Sequence, residues 1–177
     1  MNGAAGWRHQ LSWLLLGLAL VVSLSACGRE LAGSSSKESP HDADHVHAAA
    51  NGDLREQTAS LSELPGFLDN QSDSVLLAYR AAAVVRDTLQ WIPCYCGCGD
   101  SAGHRSNLNC FIHEVKQGSA VVWDDHGTRC GVCVDIALKS AQMKADGKTD
   151  ADIRRFIDAA YENGYAAPTD TSLPPQA

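Results

Sequence analysis

The cysteines in the second half of the chain are the first candidates for chemistry, because three of them stand at alternate positions. The stretch "PCYCGCG" places Cys94, Cys96 and Cys98 directly after a proline. In an extended segment these side chains would point to one face, and Gly97 and Gly99 are expected to curl the backbone with positive φ. A disulfide within Cys-x-Cys is strained, since bridged Cα atoms prefer a separation of about 5.5–6 Å. The triplet therefore favours a shared metal ion.

A second group of thiols lies in "HGTRCGVC", where Cys130 and Cys133 have the CxxC spacing of many zinc, copper and redox sites. They stand at the start of a predicted helix, where free N–H groups and the helix dipole lower the pKa of a thiol. The thiolate is the form that binds metal or attacks a disulfide. Cys110 lies between the two groups and can complete either, and His104 and His126 are the best imidazole candidates.

The number of thiols bears on the kind of site. Six thiols exceed the four ligands of one structural Zn²⁺, so they either hold a thiolate-bridged cluster or include disulfides beside a mononuclear site. Soft ligands favour Cu(I), although Zn²⁺ accepts the same donors, and Mg²⁺ and Ca²⁺ prefer oxygen. The predicted metal ligands are Cys94, Cys96, Cys98, Cys110, Cys130, Cys133, His104 and His126.

The N-terminus predicts export and a lipid anchor. Residues 1–26 carry Arg8 and no acidic residue, and most of them form an apolar run of signal-peptide length. The run ends in "LSAC", which resembles the lipobox of bacterial lipoproteins, where the signal is cut before a cysteine that is then lipidated. Two or more acyl chains on Cys27, palmitate among them, would give stable anchoring. We therefore expect a lipoprotein on the extracytoplasmic face of the cell membrane.

The charge of the mature chain limits its partners. Removing residues 1–26 leaves 13 basic and 21 acidic residues, a formal net charge of −8. This balance argues against nucleic acid, which favours basic surfaces. The expected partners are the lipid bilayer, a metal ion and a metal-accepting protein.

The elements that would position the cysteines are mainly helical. A helix is predicted over residues 73–91, with Leu77, Ala81, Val84 and Thr88 on its buried face, and Pro93 ends it just before the triplet. Residues 110–125 predict a short hairpin with a polar turn at Gly118.

Two further helices are predicted, over residues 129–147 and 148–164. Gly147 supplies a left-handed stop for the first, and Thr149 and Asp152 can form a capping box for the second. The buried face of the last helix is expected to comprise Ile153, Phe156, Ile157 and Ala160.

The resulting fold class is a small, single, mainly α domain over residues 61–167, with about three to four helices and a short β-hairpin around a Cys-rich centre. Residues 27–60 are rich in small and polar residues and are expected to form a flexible tether. Three tether histidines, His41, His45 and His47, could collect metal ions loosely. Residues 168–177 are expected to be disordered.

Four segments together resemble the bacterial lipoproteins named for their PCYCGC motif: "PCYCGCG", "GHRSNLNCF", "WDDHGTRCGVC" and "ADIRRFID". The resemblance covers roughly residues 74–165, with the lipobox and tether upstream. It implies that the six cysteines form one functional set, but it implies no particular activity.

Three functions remain open from the sequence, and an enzyme is the less favoured class. The first is capture, storage or delivery of Cu(I) by the clustered cysteines. The second is thiol–disulfide exchange, with Cys130 as nucleophile and Cys133 as resolving thiol. The third is a disulfide-stapled binding module, because an even number of cysteines in an oxidising compartment favours bridges.

Overall fold

The computed structural model describes residues 46–175 of the chain. The predicted signal peptide, Cys27 and two tether histidines, His41 and His45, lie outside these residues. Between residues 46 and 175, none of the helices has the length and apolar character needed to cross a membrane.

Four antiparallel strands form one sheet in the order β1-β2-β4-β3. They are β1 (Val46–Ala48), β2 (Leu54–Thr58), β3 (Ile112–Val115) and β4 (Val121–Asp124). β3 and β4 pair across a turn in which Gly118 has φ 86°, so the predicted hairpin is confirmed. β2 pairs with the other edge of β4. The described domain is small and single as predicted, but it is mixed α/β and not mainly α.

The folded domain begins upstream of the predicted residue 61, because it includes β1 and β2. Both lie in residues 27–60, for which the sequence predicts a tether, and His47 is an exposed residue of β1. β2 reads LREQT and lacks the apolar alternation of a half-buried strand. Its polar side chains have distant partners: Arg55 forms a 3.1 Å ion pair with buried Asp124, and Thr58 accepts a 2.8 Å hydrogen bond from Trp123. Local pattern therefore cannot reveal it.

The first predicted helix is two helices, α1 (Asp73–Val84) and α2 (Arg86–Leu89), separated by Val85 at φ −107° and ψ 27°. The predicted buried face was wrong for α1, since Leu77 is 57% and Val84 is 83% exposed. The face that is buried comprises Val75, Ala78, Tyr79 and Ala82. Alanine-rich helices offer several similar faces, and here the large Tyr79 side chain selects the buried one. Thr88, on α2, is buried as predicted.

The two C-terminal helices are α4 (Gly131–Ala145) and α5 (Asp150–Tyr161), and a short helix, α3 (Cys98–Ala102), precedes them. Gly147 has φ 76°, and Thr149 and Asp152 form the predicted capping box. On α5, Ile153 and Ile157 are buried as predicted. Phe156 and Ala160 are exposed, which corrects that part of the expected face.

The core extends from the sheet to the cysteines. Tyr79 of α1 lies edge-on to Phe111, with ring centroids 5.0 Å apart, and donates a 2.7 Å hydrogen bond to the carbonyl oxygen of Asp124. Helices α1 and α4 pack against each other beside this cluster. The same core continues through Leu89 and Ile92 to the buried cysteines, so the thiols are positioned by packed elements on several sides.

Residues 169–172 are attached to the domain by hydrogen bonds, which corrects the prediction of a disordered tail over these positions. Thr169 exchanges two hydrogen bonds with Cys94, one from its backbone N–H and one to its side-chain oxygen, at 3.0 and 2.9 Å. Arg154 of α5 donates to the carbonyl oxygens of Thr171 and Ser172. The segment has no regular secondary structure, so its order depends on these contacts.

Candidate metal centre

The Cys94–Cys98 triplet follows α2 and is not extended throughout. Gly97 has φ 85°, a left-handed conformation that favours glycine, and Cys98 then begins α3. Gly99 is helical and lacks the predicted positive φ; a Cβ there would lie 3.1 Å from the methyl carbon of Thr169. The three sulfur atoms nevertheless lie within 4.8 Å of one another, because the turn at Gly97 folds the segment back.

The CxxC pair lies at the start of α4, as predicted. Cys130 is the N-cap residue, and its sulfur accepts a 3.3 Å hydrogen bond from the backbone N–H of Cys133. The two sulfur atoms are 2.8 Å apart. Cys133 is fully buried, whereas Cys130 is partly exposed.

The triplet and the CxxC pair meet inside the protein. The sulfur of Cys94 lies 3.1 Å from that of Cys133, and the sulfur of Cys96 lies 3.6 Å from the same atom. A disulfide bond would require about 2.05 Å. All six cysteines of the described domain are free thiols, joined by contacts of 2.8–4.0 Å into one cluster.

Cys110 joins the cluster through the sulfur atoms of Cys98 and Cys94. It ends a 3₁₀ segment, Asn107–Cys110, that begins with a capping box between Ser106 and Asn109. Its sulfur lies 3.9 Å from that of Cys98 and 4.0 Å from that of Cys94. The sequence leaves open which group Cys110 completes, and the structure places it between them.

Both predicted histidines lie beside Cys110 and Cys98. The Nδ1 atom of His104 is 3.5 Å from the sulfur of Cys110, and the rings of His104 and His126 are 4.7 Å apart at their centroids. One ligand atom from each of the four residues lies within 4.8 Å of those of the other three. His104 is 5% exposed, so its ring is enclosed by protein.

Asp53, which the sequence did not indicate, lies on the far side of both imidazoles. One of its carboxylate oxygens is 3.2 Å from Nδ1 of His126, and the other is 3.6 Å from Nε2 of His104. Arg129 donates to the first oxygen at 2.5 Å, which compensates the charge of a carboxylate that is 2% exposed. Arg129 lies within "WDDHGTRC" and could have been found from its motif, but Asp53 lies in the polar segment taken for the tether.

The comparison with known families bears on the same residues. A family model described as "Protein of unknown function with PCYCGC motif" matches residues 18–174. The chain belongs to this PCYCGC family. The matched interval includes all six clustered cysteines, both histidines and Asp53, which agrees with the resemblance seen in the sequence. No curated protein and no solved structure matches the chain.

The thiols of this PCYCGC protein polarise one another. The pKa of Cys96 is lowered because Cys130 and Cys133 donate hydrogen bonds to its thiolate. The pKa of Cys98 is lowered to about 3, chiefly by a hydrogen bond from Cys110. These two residues are therefore thiolates at neutral pH, the form that metal binding requires.

The two imidazoles differ in charge. Hydrogen bonds to the thiolates of Cys96 and Cys98 raise the pKa of His126 to about 11, so its ring is protonated at neutral pH. Burial lowers the pKa of His104, which keeps its ring neutral. The centre thus combines thiolates with one neutral imidazole and one imidazolium, and a cation that displaces protons can bind it.

The arrangement can hold metal ions. Several overlapping groups of three or four residues have their ligand atoms within 4.8 Å of one another, all drawn from the six cysteines, the two histidines, Asp53 and Asp124. Most of these residues are buried, so an ion bound here would be shielded from solvent. A shielded, sulfur-rich environment is the kind that soft metal ions prefer.

Proposed function

We propose that this PCYCGC-family protein is a membrane-anchored extracytoplasmic lipoprotein that binds Cu(I) through its clustered cysteines. The observation that carries the proposal is the single cluster of six free thiols, joined by sulfur–sulfur contacts of 2.8–4.0 Å. Parts of the chain that are distant in sequence supply these thiols, so the cluster is a product of the whole fold.

The choice of Cu(I) follows from the number and softness of the ligands. A single Zn²⁺ is satisfied by four ligands, whereas six thiols joined into one cluster can bridge several ions. Thiolates select soft cations such as Cu(I), whereas Mg²⁺ and Ca²⁺ require oxygen ligands. The burial of Cys94, Cys98, Cys110 and Cys133 would also shield a bound Cu(I) from oxidants.

Anchoring and location are supported by the sequence. The lipobox-like "LSAC" ends at Cys27, and its lipidation would hold the domain at the extracytoplasmic face of the membrane. The tether histidines, His41, His45 and His47, could raise the local concentration of metal ions near the domain.

Capture and delivery are supported by the two partly exposed thiols. Cys96 and Cys130 are the members of the cluster that reach solvent, and both contact Cys133. An acceptor protein could therefore exchange ligands with the bound ion at this side of the cluster. A storage role would not need such access.

Thiol–disulfide exchange has less support. The contact of 2.8 Å between Cys130 and Cys133 would allow a disulfide to form after a small movement. However, the pKa of Cys130 is raised, because its hydrogen bonds to Cys94 and Cys96 outweigh the lowering effect of Cys133. An attacking thiol needs the opposite shift. The disulfide-stapled module has less support still, since it requires bridges where the structure has free thiols.

The test is a Cu(I) titration of the full chain in detergent, fully reduced and under anaerobic conditions, in competition with a Cu(I) chelator. We expect wild type to retain Cu(I) and the variant C94S/C133S to lose it, because these residues lie at the centre of the cluster. The matched control C27S should bind Cu(I) like wild type but lose its association with membranes and its palmitate.

Failure to retain Cu(I), with six reduced thiols shown by mass spectrometry, would reject the proposed function. Elemental analysis of protein from its native membrane, for copper, zinc and iron, identifies the ion that the cell supplies. Three bridges found under non-reducing conditions would instead favour the stapled module.

A further inference from the structure

We propose that the centre contains two adjoining compartments of different chemistry, and that one of them is a mixed nitrogen–sulfur site for a divalent ion such as Zn²⁺. The mixed site comprises Cys98, Cys110, His104 and His126, and the all-sulfur compartment comprises Cys94, Cys96, Cys130 and Cys133. The inference rests on the proposed function, because the all-sulfur compartment is the one assigned to Cu(I).

The spacing of the mixed site fits a tetrahedral ion. With Zn–S bonds of about 2.3 Å, two sulfur ligands of a tetrahedron lie about 3.8 Å apart, and with Zn–N bonds of about 2.0–2.1 Å a sulfur and a nitrogen lie about 3.6 Å apart. The sulfur atoms of Cys98 and Cys110 are 3.9 Å apart, and Nδ1 of His104 is 3.5 Å from the sulfur of Cys110. Two of the six ligand–ligand distances of such a tetrahedron are therefore already present in the protein, and the others lie within 4.8 Å.

The all-sulfur compartment is spaced differently. The contacts of Cys133 with Cys130 and Cys94 are 2.8 and 3.1 Å, shorter than the edge of a Zn–thiolate tetrahedron. The two compartments adjoin through Cys94 and Cys110, whose sulfur atoms are 4.0 Å apart. Any bound ion would spread the sulfur atoms of Cys133, Cys130 and Cys94, so composition decides the assignment: this compartment offers sulfur alone, which soft ions such as Cu(I) select.

Asp53 lies behind both imidazoles of the mixed site and orients that of His126 by a hydrogen bond. It lies 3.2 Å from Nδ1 of His126, which leaves Nε2 of that ring as the metal-binding atom. It lies 3.6 Å from Nε2 of His104, whose other nitrogen faces Cys110. Nε2 of His104 is buried and lacks a closer hydrogen-bond partner among the described residues. A carboxylate behind a ligating imidazole is the usual support in zinc sites, and it fixes which nitrogen is free to bind.

Charge also favours a divalent ion in the mixed site. Once the ion has displaced the protons of His126 and Cys110, two thiolates and two neutral imidazoles carry a charge of −2, which one divalent ion neutralises. Three of the four ligands, Cys98, Cys110 and His104, are buried, where an uncompensated charge is costly. One Cu(I) in the same place would leave a net negative charge. The carboxylate of Asp53 is separately compensated by Arg129.

The inference is tested by loading the reduced full chain in detergent first with Zn²⁺ and then with Cu(I), and by X-ray absorption at both metal edges. We expect Zn²⁺ with two nitrogen and two sulfur neighbours, and Cu(I) with sulfur neighbours only. Initial additions of Cu(I) should leave the Zn²⁺ in place. A zinc shell of sulfur alone, or release of Zn²⁺ by the first Cu(I) added, would overturn the inference.

Variants separate the two compartments. H126A removes a partly exposed ligand, so it should lower the affinity for Zn²⁺ at least about tenfold and leave the Cu(I) stoichiometry unchanged. D53N removes the supporting carboxylate and should weaken Zn²⁺ binding by about 10–100-fold. The matched control is H113A, on the exposed face of β3, which should bind both ions like wild type. Thermal unfolding of each variant without metal checks that the fold is retained.

The outcomes distinguish this inference from the proposed function. Unchanged Zn²⁺ affinity in H126A and D53N, with Cu(I) still bound, would reject the mixed site alone. Zn²⁺ bound by nitrogen and sulfur, with no Cu(I) retained, would reject the proposed function and leave the mixed site standing.

Discussion

Substitution of Gly127 by alanine is predicted to destabilise the domain next to the metal centre. Gly127 is a buried residue of the 3₁₀ segment Asp125–Arg129, which connects β4 to the CxxC pair. A Cβ atom at this position would lie 2.7 Å from a ring carbon of Phe111 and 2.9 Å from the carbonyl oxygen of Cys110. Favourable carbon–carbon contacts begin at about 3.5 Å, so the neighbours would have to move by almost 1 Å.

Neither neighbour can move easily. Phe111 is fully buried and packed edge-on against Tyr79, with ring centroids 5.0 Å apart. The carbonyl oxygen of Cys110 belongs to the backbone of a proposed metal ligand. Overpacking of this kind costs about 1–3 kcal/mol. For a domain of this size, 1 kcal/mol corresponds to about 3–5 °C in Tm, so G127A should unfold about 3–15 °C below wild type.

The matched control is G131A, the same substitution four positions later. At Gly131, the first residue of α4, an added Cβ would have no described atom within 4 Å outside its own helix and chain neighbours. Alanine is favoured over glycine within helices by up to about 1 kcal/mol, so G131A should unfold at or above the temperature of wild type. Circular dichroism melts of the reduced full chain in detergent, with a chelator present, compare the three proteins without a contribution from bound metal. A Tm for G127A equal to that of G131A would refute the argument from steric contact.

Three further predictions concern the thiols and their surroundings. In the reduced, metal-free protein, iodoacetamide should modify Cys96, which is partly exposed and a thiolate, before the four buried cysteines, as measured by peptide mass spectrometry over time; equal rates would contradict the observed burial. T169V leaves the backbone N–H of residue 94 without its 2.9 Å acceptor and should lower the free energy of unfolding by about 1–3 kcal/mol in urea titrations, whereas an unchanged value would show that the tail contact contributes nothing. The pKa of Cys98 falls from an ordinary value of 9.0 to about 3, and that of His126 rises from 6.5 to about 11. The thiolate therefore adds stability as pH rises from about 3 to 9, and the imidazolium loses its contribution between about 6.5 and 11. Because the pKa of Cys96 is lowered as well, two thiolates outweigh the one imidazolium up to pH 9. Urea titrations of the metal-free protein should therefore show stability rising steeply to pH 6.5, more gently to pH 9 and falling above it, and H126Q should reduce the fall; a continued rise above pH 9 would contradict the assignment.

The parts of the fold that could be predicted from the sequence are those specified by neighbouring residues. The capping box of Thr149 and Asp152, the left-handed Gly147 and the β3–β4 hairpin each depend on a few adjacent positions, and all are confirmed. Polar side chains in β2 have partners on β4, about seventy positions away in the case of Arg55 and Asp124. Such long-range pairs leave no local period, so the strand could not be predicted.

The candidate site also has residues that the sequence identifies and residues that only the fold identifies. The cysteines and histidines could be chosen as candidates from residue type and motif spacing alone, and the structure brings all eight to one place. Asp53 and Thr169 could not be chosen, because each lies in a polar segment without periodicity and acquires its role only by contact with His126 or Cys94. The metal-binding side chains can be predicted from residue type and spacing, whereas the residues that contact and position them are determined by the fold.

Gly97 explains how an alternating triplet can serve two compartments. If residues 94–98 were extended, all three thiols would face one ion, as the alternation predicts. The left-handed turn at Gly97 leaves Cys94 and Cys96 beside the CxxC pair and begins α3 with Cys98, which contacts Cys110 at 3.9 Å while its sulfur stays within 4.8 Å of the other two. Each compartment then combines thiols from the triplet with ligands from elsewhere in the chain. The glycine between the second and third cysteine is therefore as much a determinant of the centre as the thiols, since a side chain at φ 85° would be strained.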